Sequence, residues 1–137
     1  MLVKKRAQAG VEYMIIIGFV TFAVMSILVI ATLYSGLIKD KIKINQLEKF
    51  SMQVINHAES VFFAGEPSSA TVRLFLPQGV SEIQVDPGGL LVTVATSTGD
   101  NVLFFNSRVP LEGSISVGEG IRTIKIEAKS DHVLISG

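Results

Sequence analysis

Twenty-six consecutive uncharged residues, Tyr13 to Ile38, constrain this 137-residue chain more than anything else in it. As a helix rising about 1.5 Å per residue the run reaches roughly 39 Å, enough to cross a hydrocarbon core of about 30 Å. It exceeds the apolar region of a conventional secretory signal, which holds only about 7–15 residues and ends in a small-residue cleavage site, whereas this run ends at Leu33-Tyr34-Ser35-Gly36. Lys4, Lys5 and Arg6 precede it, and their charge keeps that end on the cytoplasmic side, so the rest of the chain is expected outside. Tyr13 and Tyr34 bracket the run as interfacial aromatics do.

Glu12 is the anomaly, because a carboxylate at the threshold of a membrane helix costs up to a few kcal/mol at full depth. The stretch Lys4-Lys5-Arg6-Ala7-Gln8-Ala9-Gly10-Val11-Glu12-Tyr13 resembles the leader and mature start of type IV prepilins, most closely the archaeal class whose leader is cut just before a glutamine. The likeness covers Lys4 to about Leu37. It implies cleavage between Ala7 and Gln8, with residues 1–7 as a cytoplasmic leader, and that cut makes Glu12 the fifth mature residue. Gly10 departs from the serine that this archaeal class often has, and bacterial tight-adherence pilins share the Glu-Tyr or Glu-Phe pair.

The resemblance further implies a membrane-inserted precursor that becomes an extracellular filament, a helical homopolymer serving adhesion. Its partners are then a prepilin peptidase, an assembly platform protein and an ATPase. Glu12, Tyr13 and Gly18 become assembly residues. A neighbour's new α-ammonium pairs with the Glu12 carboxylate inside an apolar bundle, and leaving either charge unpaired there costs on the order of 3–5 kcal/mol, so the pair sets register. Cyclisation of Gln8 removes that ammonium and leaves Glu12 to backbone N–H donors at the helix start. The plainer alternative is a single-pass anchor in which Glu12 is only a helix-start residue favoured by the dipole, carrying a surface β-domain that binds or adheres. Minor-pilin and archaellum-type subunits are variants of the first reading.

Ala31-Ser35 and Thr32-Gly36 repeat small residues four apart, a spacing that lets helices approach closely, and Gly18, Thr21 and Ser26 are suited to the same role. Past Lys39-Asp40-Lys41 the helical pattern continues. Ile44, Leu47, Phe50, Val54, Ala58 and Val61 recur at spacings of three and four with polar residues between, so 39–63 reads as amphipathic and 8–38 as membrane or filament core. Leu47, Phe50, Val54, Ala58 and Val61 are the expected helix–head packing face. No proline occurs before Pro67, and one helix over about 10–63 is roughly 81 Å long.

Ala64-Gly65-Glu66-Pro67 ends the helix, and 64–137 reads as a β-rich head. Alternating stretches predict about seven short strands, near 71–76, 81–85, 90–96, 102–105, 114–117, 124–127 and 132–135, with a tight turn at Thr98-Gly99-Asp100-Asn101. The predicted fold class is α+β, a long N-terminal helix packed on a small antiparallel β-sandwich or barrel.

Composition adds exclusions. There is no cysteine, so neither disulfides nor thiolate metal sites contribute. Loss of residues 1–7 leaves nine basic against twelve acidic side chains, and a mildly acidic product without a basic patch argues against nucleic acid as a partner. His57 and His132 read as lone imidazoles rather than metal ligands. Ser130-Asp131-His132 holds triad residue types in adjacent positions that do not converge on one atom. Gly118-Glu119-Gly120 lacks the third glycine and the following helix of a phosphate loop. No catalysis, cofactor or metal is expected.

Overall fold

The computed structural model describes the backbone from Leu2 and the side chains from Gln8 to Gly137. The leader side chains Lys4, Lys5, Arg6 and Ala7 therefore lie outside the described residues. The order is one helix, α1 (Leu2–Ala64), then β1 (Ser69–Leu76), β2 (Val80–Asp86), β3 (Gly89–Thr96), β4 (Gly99–Asn106), β5 (Leu111–Ser114), β6 (Gly120–Ala128) and β7 (Val133–Ser136). The fold class is α+β, as predicted. α1 begins at Leu2 rather than near Gly10, because nothing in residues 2–9 breaks a helix. Gly65 ends it in the left-handed region (φ 82°), donating its N–H back to Phe62 O at 3.0 Å.

The chain divides into two compact units, Met1–Ile38 and Lys39–Gly137. In the second, the strands form a four-stranded sheet of order β1-β6-β7-β5 and a three-stranded sheet of order β2-β3-β4. β2 lies beside β5, and Leu111 N donates to Pro87 O at 3.4 Å across that junction. β1 and β4 are thereby left as the two outer strands. The strands alternate as a half-buried sheet must: Leu90, Val92 and Val94 of β3, Ile124 and Ile126 of β6, and Val133 and Ile135 of β7 face one core. The helix face enters the same core through Leu47, Phe50, Ser51, Val54, Ile55, Ala58 and Val61. Each large apolar side chain so buried contributes about 1.5–3 kcal/mol, and a β unit this small gains much of its core from the helix.

Three local expectations are corrected. The fifth strand is Leu111–Ser114, not 114–117, and it runs parallel to β7, so the architecture is not purely antiparallel. Gly113 permits that pairing: its φ is 122°, and a Cβ there would collide with the Ile135 carbonyl oxygen. Ile115, buried, and Ser116, which donates to Gly137 O at 2.7 Å, follow β5 as an irregular segment. The β3–β4 turn falls two residues earlier than expected, at Ser97-Thr98, with Thr96 opposite Gly99. There Thr96 Oγ1 donates to Gly99 O at 2.6 Å, closing the loop from within.

Candidate functional site

The site that the sequence singles out is the helical segment of the first unit, and its geometry follows from side chains that meet nothing in their own chain. From Val11 to Ile38 every large apolar residue is at least half exposed, Met14 (77%), Phe19 (72%) and Phe22 (71%) most of all. α1 is long and apolar enough there to cross a membrane. A contiguous apolar surface of this extent far exceeds the few hundred Å2 that a soluble monomer ordinarily leaves in water.

Two hydroxyls within the segment are arranged for an apolar surrounding. Ser26 Oγ donates to Phe22 O and Thr32 Oγ1 to Val29 O, both at 2.8 Å, so these hydroxyls are satisfied along the helix itself. Gly10, Gly18 and Gly36 are open: a Cβ at each would meet no atom within 4 Å. At about 100° per residue, Gly18, Thr21, Thr32, Ser35 and Gly36 fall within roughly a third of the helix circumference, giving two low patches on one face, Gly18 with Thr21 and Thr32 with Ser35 and Gly36, separated by Met25 and Leu28 of the same face. Glu12 and the adjacent Tyr13 (67% exposed) lie at the start of this surface, and Gln8 is exposed one turn earlier. Glu12 enters no hydrogen bond or ion pair among the described residues.

In the second unit the structure places Leu47, Phe50, Val54, Ala58 and Val61 in the core, with exposures of 7% or less. Two further residues on that face were missed, Ser51 (0%) and Ile55 (6%). Spacing alone points to them, since Ser51 is four residues after Leu47 and Ile55 four after Ser51, but a serine hides the stripe. Ser51 Oγ is buried without a hydrogen-bond partner. Polar side chains at the margins tie the helix to the sheet: Asp40 accepts from both the backbone N–H and the hydroxyl of Ser97, Lys43 Nζ donates to Ala95 O at 3.2 Å, and Glu59 Oε1 accepts from Arg108 N at 3.1 Å. The Ser97 donors, with Lys43 nearby, hold the Asp40 carboxyl below its ordinary value.

Among the described residues, the remaining titratable groups form no catalytic constellation. His57 is exposed. His132 is not the lone imidazole expected: Asp131 Oδ1 lies 2.6 Å from Nδ1, and Glu112 Oε2, brought alongside by the parallel β5–β7 pair, lies 3.3 Å from Nε2. That cluster is at the surface, and the described residues hold no group of three or more residues placed to bind a metal. Lys125, 2.5 Å from Glu127, lowers that carboxyl below its ordinary value in a similar exposed setting on β6. Comparison with protein-family models, with curated proteins and with solved structures finds no match.

Proposed function

We propose that this chain is a structural subunit of an extracellular filament of the type IV pilus kind, inserted in the membrane as a precursor and polymerised through residues 8–38. The observation that carries the reading is the continuous apolar surface from Val11 to Ile38, its large side chains at least half exposed, that begins beside a carboxylate with no partner among the described residues. In a lipid-facing anchor Glu12 is no more than a helix-start residue favoured by the dipole, whereas a bundle of identical helices supplies it with a neighbour's terminal ammonium at one fixed stagger. Burial of the apolar surface against other copies provides the association free energy once subunits leave the bilayer. The β unit then forms the layer exposed to the surroundings, where adhesion is its task, and no catalysis is required of it. A prepilin peptidase, a platform protein and an ATPase are the machinery such a subunit needs.

The test is intact-mass and N-terminal peptide analysis of the protein from sheared surface material and, separately, from membranes. A surface species beginning at Gln8, cyclised or not, is expected. Membrane-bound chains alone, still carrying residues 1–7, overturn the filament reading in favour of an anchored β-domain.

A further inference from the structure

The two outer strands of the β unit, β4 and β1, match one another as edges. The two-residue loop Ser97-Thr98 makes Thr96 and Gly99 a hydrogen-bonded pair, and alternation along an antiparallel ladder makes Val92–Leu103 and Leu90–Phe105 pairs of the same kind. Ser107 N donating to Gly88 O at 2.8 Å continues the series. The backbone groups of Asp100, Val102, Phe104 and Asn106 therefore point away from β3, into the open edge. On β1, Ala128 N donates to Ser68 O at 2.9 Å, so by the same alternation the backbone groups of Ser69, Thr71, Arg73 and Phe75 point away from β6.

All eight of these side chains are exposed, so on both edges the residues with free backbone groups lie on the outer face. That agreement is a requirement for continuing one sheet into another, since a mismatch by one residue would turn one core face to solvent. The devices that discourage pairing are few on these edges: β1 carries the single charge of Arg73. β4 has no lysine, arginine or proline over Gly99–Asn106, and the one irregularity in strand register lies in β2.

We infer that β4 of one copy pairs antiparallel with β1 of a second copy of this chain, in a head-to-tail contact between β units. Both strands hold eight residues, and full overlap sets Asn106 opposite Ser69 and Gly99 opposite Leu76 of the second copy. Asp100 and Arg73 then lie on a diagonal of the outer face, within reach of a long side chain, and neither forms an ion pair within its own chain among the described residues. On the inner face Leu103 meets Val72 and Phe105 meets Ala70, four apolar residues that are only partly buried at the margins of their own cores. A groove of about 410 Å3 beside Phe104, Phe105 and Asn106, with Ile55, Met52 and Asn56 of the helix opposite, receives the end of the incoming strand. In this register that end carries Ser69 and Ala70, the smallest residues of β1. Because the two surfaces differ, the contact is heterologous and generates an open chain of copies unless its rotation closes a ring.

The chain has no cysteine, so the contact is tested by oxidising membranes and sheared surface material that contain the full chain with Thr71→Cys and Phe104→Cys together. These positions face each other at about 5.5 Å between Cα atoms, within the roughly 4.4–6.8 Å that a disulfide spans. A ladder of species beyond the dimer is expected from the double variant and monomer from each single variant. Asp100→Arg should abolish the ladder, and Arg73→Asp added to it should bring the ladder back. Monomer from the double variant overturns the inference, and so does dimer from Phe104→Cys alone, which reports β4 against β4. Hydrogen exchange of the unmodified chain reads the contact independently of the cysteines. The Val102 and Phe104 amides should slow in membranes relative to dilute detergent, and equal rates overturn it. A ladder in membranes of cells that make no filaments keeps this contact and removes the filament reading; filaments without a ladder do the reverse.

Discussion

Replacing Ser51 by alanine should make the β unit more stable, although the side chain is fully buried in the middle of its core. Ser51 Oγ has no hydrogen-bond partner, unlike Ser26 and Thr32, whose hydroxyls donate to carbonyls of the preceding turn. A buried unsatisfied polar group carries a penalty of about 1–3 kcal/mol, which alanine removes. Alanine is also the better helix former, by about 0.5 kcal/mol over serine. Against this stand the lost dispersion contacts of one oxygen, about 0.1–0.2 kcal/mol each. The net is a gain of roughly 1–3 kcal/mol. For the unit Lys39–Gly137, each kcal/mol raises Tm by about 4–8 °C. Thermal unfolding of the full chain in detergent, followed by far-UV circular dichroism and by hydrogen exchange of the Val92 and Val94 amides, reads the change. An unchanged or lower Tm would refute the reasoning, because it requires that the hydroxyl be satisfied in the folded protein.

Glu12→Ala should leave membrane insertion intact and abolish or disorder surface filaments, scored by comparing membrane and sheared fractions; normal filaments from this variant sink the role assigned to the carboxylate. Gly113→Ala should lower Tm, since it adds about 1–3 kcal/mol of backbone strain at φ 122° and drives a methyl into the Ile135 carbonyl oxygen where β5 meets β7. The depressed Asp40 carboxyl contributes stability that is fully present above its unfolded value and is lost as pH falls through the lower folded value. Asp40→Asn should therefore reduce Tm at neutral pH, with the difference from the unmodified chain shrinking below about pH 3.8, and a pH-independent difference would show that the Ser97 contact does not depend on charge.

What was legible in the sequence was local. An unbroken apolar run, a three-and-four spacing from Leu47 to Val61 and clean alternation in Thr71–Leu76 or Ile124–Glu127 each announce their element within a dozen residues. β5 was not, because Leu111-Glu112-Gly113-Ser114 has turn-like composition and becomes a strand only by lying alongside β7, about twenty residues later. The same parallel register brings Glu112 to His132, so the imidazole's second carboxylate was equally hidden. The free edges of β1 and β4 depend on strand order, which pairing across the whole β unit decides and no stretch of sequence records.

β7 is an inner strand, flanked by β6 on one side and β5 on the other, and its Val133 and Ile135 share a core with Leu47 and Phe50 some eighty residues earlier. During synthesis the amphipathic part of α1 emerges before every strand, and its apolar face is not fully covered until β7 has followed. Neither can the four-stranded sheet close around a missing interior member. Closure of the four-stranded sheet thus waits on the long-range pairings of β1 with β6 and β5 with β7, which form slowly and leave apolar helix surface exposed in the interval. A cell making this protein in quantity has to shield that helix face while the rest of the chain arrives.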